Sequence, residues 1–185
     1  LLILHGLEGS SYSVYAQGMA QLASARGARV TIMNFRSCAR DPNDVKRWIP
    51  NGRPRLYHSG ETTDLDHVAR TLAARDPDTP LLAVGVSLGG NVLLKWLGEH
   101  AGETIVRAAA TISVPYDLDA GARHLTSRTG RLYVRNFLGT LLAKAGGESV
   151  ERTLVSDHGS GGSSDKVLFL NRALASAGLL AFHPK

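Results

Sequence analysis

Ser87 sits midway between two glycines in Gly85-Val86-Ser87-Leu88-Gly89, with the apolar run Leu81 to Val86 before it and a helix-like run from Leu88 to His100 after it. A serine held on a sharp strand-to-helix turn takes up a crowded backbone conformation. Small neighbours at Gly85 and Gly89 keep such a turn clear of the flanking strand and helix. The turn lifts the hydroxyl out of the sheet, the geometry that an attacking oxygen needs. The alternative is a glycine-rich helix N-terminus in another α/β fold, with Ser87 as its cap. Phosphate binding fits poorly, because no G-x-G-x-x-G accompanies the serine and no lysine follows a glycine pair as in a phosphate loop.

A serine hydroxyl attacks only when a base takes its proton, and that base is usually a histidine steered by a carboxylate. His5 lies in a glycine-serine loop, His5 to Ser11, and reads as a residue that shapes that loop. His58 and Glu61 read as structural ligands of their own loop, His67 and His100 as helix surface positions, and His124 as part of a later helical block. Asp157 and His158 fall in a glycine-serine stretch too flexible to hold an imidazole in place, and His183 is three residues from the end of the sequence. Asp117 follows the strand next to the serine strand and reads as a helix entrance. Cys38 reads as a loop thiol. Asp117, His158 and His183 remain weak candidates, and the partners of Ser87 stay open.

The elements around Ser87 follow from apolar patterning. Strands are expected over Leu1 to Leu4, Val30 to Phe35, Leu81 to Val86 and Ile105 to Val114, with helices over Ser13 to Arg26, Glu61 to Arg75 and Leu88 to His100. Val14, Met19, Leu22 and Ala25 recur at helical spacing as the apolar positions of the first helix. Arg36 to Gly60 holds three prolines and reads mostly as loop. Alternating strands and helices with continuously apolar strands predict a parallel sheet covered on both faces. Ligands of such sheets bind at the carboxyl ends of the strands. Both special loops, His5 to Ser11 and Gly85 to Gly89, stand at such ends.

The expected organisation is a core over 1–116, a helical cap over 117–150, a flexible linker over 151–165 and a tail of uncertain placement over 166–185. Within that tail, Val167 to Leu170 could serve as a substitute edge strand. The apolar share of 43% suits an ordinary globular domain. No run is long enough for a membrane span and no leader is recognisable. With the one cysteine, which fits a reducing compartment, this leads to a cytoplasmic expectation. The histidines lack paired ligand spacing, so no metal is expected. The net charge of +5 is spread too widely, without interleaved aromatics, to predict nucleic-acid binding. Arg123, Arg128, Arg131, Arg135 and Lys144 fall between Ala120 and Gly147 with no acidic residue among them. They form either a solvated helical face or a contact for an acidic substrate or for anionic lipid, as a peripheral membrane surface would make. The oligomeric state is left open. Leu1 already belongs to a strand, so the sequence reads as a piece of a longer protein.

Five motifs occur in a familiar order: His5-Gly6-Leu7-Glu8-Gly9-Ser10-Ser11, Asn34-Phe35-Arg36, Tyr57-His58-Ser59-Gly60-Glu61-Thr62, Gly85 to Trp96, and Ser113-Val114-Pro115-Tyr116-Asp117-Leu118. Through them the chain resembles the YheT-like α/β-hydrolases, a branch of predicted esterases and lipases, over residues 1 to about 145. The resemblance implies an α/β-hydrolase-like sheet with its four central strands in the order second, first, third, fourth. It also implies a Ser-Asp-His triad, no cofactor, and hydrolysis of carboxylic esters, including acylglycerol-type lipids, through an acyl-enzyme on Ser87. Two backbone donors, the N–H groups of Leu7 and Leu88, would face the developing oxyanion. The chain departs from the family at Ser37 and at Ala39-Arg40-Asp41, where two glycines are lost. The family's later acid and histidine segments have no counterpart. The fold is therefore expected to be incomplete, truncated at both ends, and a catalytically silent fragment or binding module stands as the alternative to an enzyme.

Overall fold

The computed structural model describes residues 1–51, 57–103 and 105–126, together with 134, 137, 139–141 and 144. The chain divides into two compact units, residues 1–51 with 57–114 and residues 52–56 with 115–185. In the first unit the elements run β1 (Leu2–Leu4), α1 (Val14–Ser24), β2 (Thr31–Met33), β3 (Arg40–Asp41), β4 (Asp44–Trp48), α2 (Thr63–Arg75), β5 (Leu81–Val86), α3 (Leu88–Glu99) and β6 (Val106–Ile112).

Four strands form a parallel sheet in the order β2-β1-β5-β6, the order that the resemblance implies. All three residues of β1 are fully buried, as suits the middle of a sheet. Side chains alternate across a strand, so Leu2 and Leu4 share one face. There they join Met33, Phe35, Tyr57, Leu65, Ala69, Ala83, Val92, Leu93 and Trp96 in the core, beneath α2 and α3. In α2 the buried residues Leu65 and Ala69 are one turn apart, and acidic Asp64 and Asp66 in its first turn complement the helix dipole. Cys38, expected as a plain loop thiol, is 1% exposed and belongs to this core.

Two expectations change and one gains detail. The buried residue of α1 is Ala16, whereas Val14 is 87% and Leu22 61% exposed and Ala25 is exposed too. The contact is carried by small residues, which add little to an apolar period. Arg36 to Gly60 contains an antiparallel hairpin of β3 and β4. Its strands are polar and mostly exposed, so hydrophobic alternation could not reveal them. Arg40 lies over the Trp48 ring at 5.7 Å. Finally, β6 is largely exposed, so the expected cover on both faces does not extend to it among the described residues.

The second unit contributes α4 (Leu118–Thr126) to the described residues. Val167 to Leu170, the flexible linker and the tail all lie outside them.

Candidate active site

Four non-glycine residues have positive φ among the described residues: Glu8, Ser37, Ser87 and Ser113. Each follows a strand of the parallel sheet at its carboxyl end. Left-handed backbone costs a residue with a Cβ of order 1–3 kcal/mol, and clustered strain of this kind marks ligand sites. The candidate site therefore occupies that edge.

Ser87 sits between β5 and α3 with φ 52° and ψ −117°. Its N–H donates to the Ile112 carbonyl at 2.8 Å, carrying the β5–β6 ladder one residue into the turn. Its carbonyl accepts from Gly90 and Asn91, so the helix begins at once. The glycines on either side are required by space rather than by torsion. A Cβ on Gly85 would lie 2.5 Å from the Gly89 oxygen, and one on Gly89 would lie 2.5 Å from the His5 oxygen. Gly90 is equally tight, 2.4 Å from Val114 Cγ2. With no side chains there, α3 starts directly against β5 and the end of β1. Leu88 is the first residue of α3, so its N–H belongs to the helix end that has no intrahelical acceptor.

The loop after β1 reaches the same place. A Cβ on Gly6 would stand 3.3 Å from Ser87 Cβ, so the His-Gly turn and the serine are neighbours. His5 is fully buried. Its Nε2 accepts the Phe35 N–H at 3.2 Å, and its Nδ1 therefore carries the proton and donates to the Gly6 carbonyl at 2.7 Å. Both ring nitrogens are committed, and His5 shapes the loop, as expected. The Gly6 carbonyl also accepts from Gly9 N–H at 3.0 Å. In a trans peptide the following N–H points the opposite way. That N–H belongs to Leu7, and it meets no acceptor among the described residues.

Residues that sequence reasoning left without a role hold this loop from outside. Phe35 packs edge-on against His5 and stacks on Tyr57. The Tyr57 phenol accepts the Glu8 N–H and donates to Glu8 Oε1, both at 2.8 Å, which holds Glu8 in its left-handed conformation. Burial, with lesser contributions from Cys38 and Glu8, pushes the Tyr57 hydroxyl well above the usual phenol range, so it stays protonated. Asn34 Oδ1 accepts from Ser11 N–H at 2.7 Å, and the Tyr15 phenol accepts from Gly6 N–H at 2.8 Å. The Asn34-Phe35 and Tyr57 motifs were legible as motifs. Their physical task becomes clear only in three dimensions.

The other candidates make local contacts of their own. His58 Nδ1 accepts the Gly60 N–H at 3.1 Å and Glu61 Oε1 accepts the Thr63 N–H at 2.9 Å, so each shapes its own turn. His67 is exposed. His100, expected at the surface, is half-buried, stacked on Trp96 and bonded to its carbonyl at 2.9 Å. In the second unit, Asp117 is exposed and accepts the Ala120 N–H at 2.8 Å, capping α4; His124 is exposed on that helix. Arg123 pairs with Asp119 one turn back, which breaks the run of unopposed cations, and Lys144 is half-buried. Arg128, Arg131, Arg135, His158 and His183 lie outside the described residues. Among the described residues no histidine is hydrogen-bonded to Ser87, and no cluster of three His, Cys, Asp or Glu side chains is placed to hold a metal. None of their helices is long and apolar enough to cross a membrane.

A model of the alpha/beta hydrolase fold family matches residues 1–145. The chain belongs to that family. It is 39% identical to "Putative esterase YheT" of Escherichia coli (strain K12) over 145 residues, 78% of this chain and 40% of that protein. It is 34% identical to "Phospholipase ABHD3" of Homo sapiens over 142 residues, 77% of this chain and 33% of the relative. It is 28% identical to "Monoacylglycerol lipase" of Saccharomyces cerevisiae over 155 residues, 76% of this chain and 33% of the relative. The chain thus spans two fifths or less of the length of these relatives. The matched region carries the four-stranded sheet, the His-Gly loop and the serine turn of this alpha/beta hydrolase fold.

Proposed function

We propose that this chain carries the nucleophile and oxyanion-binding part of a carboxylic ester hydrolase. Ser87 Oγ attacks the ester carbonyl carbon. The carbonyl π electrons move onto oxygen, and that oxyanion sits against the N–H groups of Leu7 and Leu88. Collapse expels the alcohol, whose oxygen takes up a proton equivalent to the one lost from the Ser87 hydroxyl, leaving an acyl-enzyme that water then cleaves to the acid and free Ser87. Each aimed donor contributes about 3–4 kcal/mol to such a step. The observation that carries the reading is the strained turn at Ser87, φ 52°, set beside the Gly6 turn.

The relatives' names, esterase, phospholipase and monoacylglycerol lipase, favour small ester or acylglycerol-type lipid substrates. The basic residues Arg123, Arg128, Arg131, Arg135 and Lys144 of the sequence would suit a peripheral approach to anionic lipid. The chemistry needs no cofactor, and a cytoplasmic site of action remains part of this reading.

The proton acceptor for Ser87 is the unassigned part. No described histidine serves Ser87, which favours a second reading, a silent hydrolase-fold module that keeps the turn without its base. A fluorophosphonate probe separates the two. The enzyme reading expects labelling at Ser87 that disappears in Ser87→Ala, with hydrolysis of short p-nitrophenyl esters. A folded protein that neither labels nor hydrolyses would establish the silent module.

A further inference from the structure

The backbone N–H groups around Leu7 are taken up in sequence. Gly6 donates to Tyr15, Glu8 to Tyr57, Gly9 to the Gly6 carbonyl, Ser10 to Ser13 Oγ and Ser11 to Asn34 Oδ1. The two phenols bracket the single N–H left over, that of Leu7. Each comes from a different element: Tyr15 from the first turn of α1, and Tyr57 from the segment before α2.

Three consecutive peptide planes are held by separate bonds. The His5–Gly6 plane is held at its N–H by Tyr15, and the Gly6–Leu7 plane at its carbonyl by His5 and Gly9. The Leu7–Glu8 plane is held at its N–H by Tyr57. A peptide plane swings by coupled changes in ψ before it and φ after it. Fixing the planes on both sides of the middle one therefore restricts the middle one as well. Tyr15 and Ser87 also flank the same atom, since a Cβ on Gly6 would lie 3.7 Å from the Tyr15 oxygen and 3.3 Å from Ser87 Cβ.

We infer that Tyr15 and Tyr57 are positioning residues, which clamp the planes either side of Leu7 so that its N–H stays aimed at the oxyanion. This rests on the ester-hydrolase reading above, because the donor matters only if charge develops beside it. The phenols act through the loop backbone, at the Gly6 and Glu8 N–H groups. Their effect should appear in the transition state, where the oxyanion is strongest, and scarcely in substrate binding.

The test uses Tyr15→Phe and Tyr57→Phe in the full 185-residue chain, with Tyr12→Phe, an exposed tyrosine of the same loop, as control. Amide exchange followed by NMR should accelerate at Gly6 in Tyr15→Phe and at Glu8 in Tyr57→Phe, each by about tenfold or more, with the other site unchanged. On an ester substrate kcat should fall by about tenfold in each variant while KM stays within about twofold. The control should change neither. Unchanged exchange, faster exchange with unchanged kcat, or a loss carried mainly by KM would each overturn the clamp. A wild-type chain that hydrolyses no ester overturns the hydrolase reading and with it the catalytic role of the phenols; the exchange pattern then decides the clamp as a structural device. Should Tyr57→Phe fail to fold, Tyr15, exposed like Tyr12, carries both readouts.

Discussion

The loop after β1 and the turn after β5 close neighbouring strands, yet opposite means hold them. The loop is pinned by side chains from elsewhere: Tyr15, Asn34, Phe35 and Tyr57 all reach it. The turn is held by missing side chains, with Gly85 and Gly89 letting backbone press on backbone and Gly90 leaving room for the Val114 side chain. The loop therefore tolerates small changes that loosen it one bond at a time. The turn tolerates almost none, because backbone atoms cannot move aside as a flexible side chain does. One site thus joins an adjustable half to a rigid half.

The largest effect should come from the rigid half. Gly89→Ala places a methyl group 2.5 Å from the His5 oxygen and 2.7 Å from the Leu4 oxygen. It should cost about 3 kcal/mol or more, read by urea unfolding. A loss under about 1 kcal/mol would mean that α3 can slide off β1. The adjustable half should yield less. His5→Leu leaves the Phe35 N–H buried without its acceptor and should cost about 2 kcal/mol by the same measurement. Equal costs at the two sites would erase the contrast. The sign should reverse away from the turn. Gly18 in α1 has open space where a Cβ would go, so Gly18→Ala should stabilise by about 0.5–1 kcal/mol, read as a raised Tm.

The smallest effect is in acid and involves neither half. Hydrogen bonds from Arg70, Arg29 and Lys95 hold Asp66, Asp76 and Glu99 respectively below the usual carboxylate range. Lowered folded values mean that this stability is complete above the unfolded pKa of about 4 and is lost as pH falls through the folded values. All three are surface groups, so Tm should stay nearly flat from neutral pH to about 5 and decline only below about 4. A decline beginning near pH 6 would point to histidine instead.

The legible parts of this chain share one property, local spacing. The serine turn and the strands themselves follow from glycine positions and from apolar runs that bury on both sides, as β1 does, whereas the strand order came from the family resemblance. The face of α1 misled because Ala16 buries while Val14 is 87% exposed, so the apolar period pointed away from the contact. The β3–β4 hairpin was hidden by its polar composition. The clamp around Leu7 was hidden for a different reason. Tyr57 lies 49 positions from Glu8, and pairing at that range leaves no periodic trace. A buried tyrosine inside an otherwise polar motif was the available signal.

The central claim is that Leu7 and Leu88 present their N–H groups to one oxygen on a carbon bonded to Ser87 Oγ. The structure of the protein carrying a phosphonate on Ser87, whose phosphoryl oxygen stands in for the oxyanion, tests this directly. That oxygen should lie within about 2.7–3.1 Å of both backbone nitrogens. A phosphonate that will not bond to Ser87, or one whose oxygen turns away from the Gly6–Leu7 plane, would contradict it.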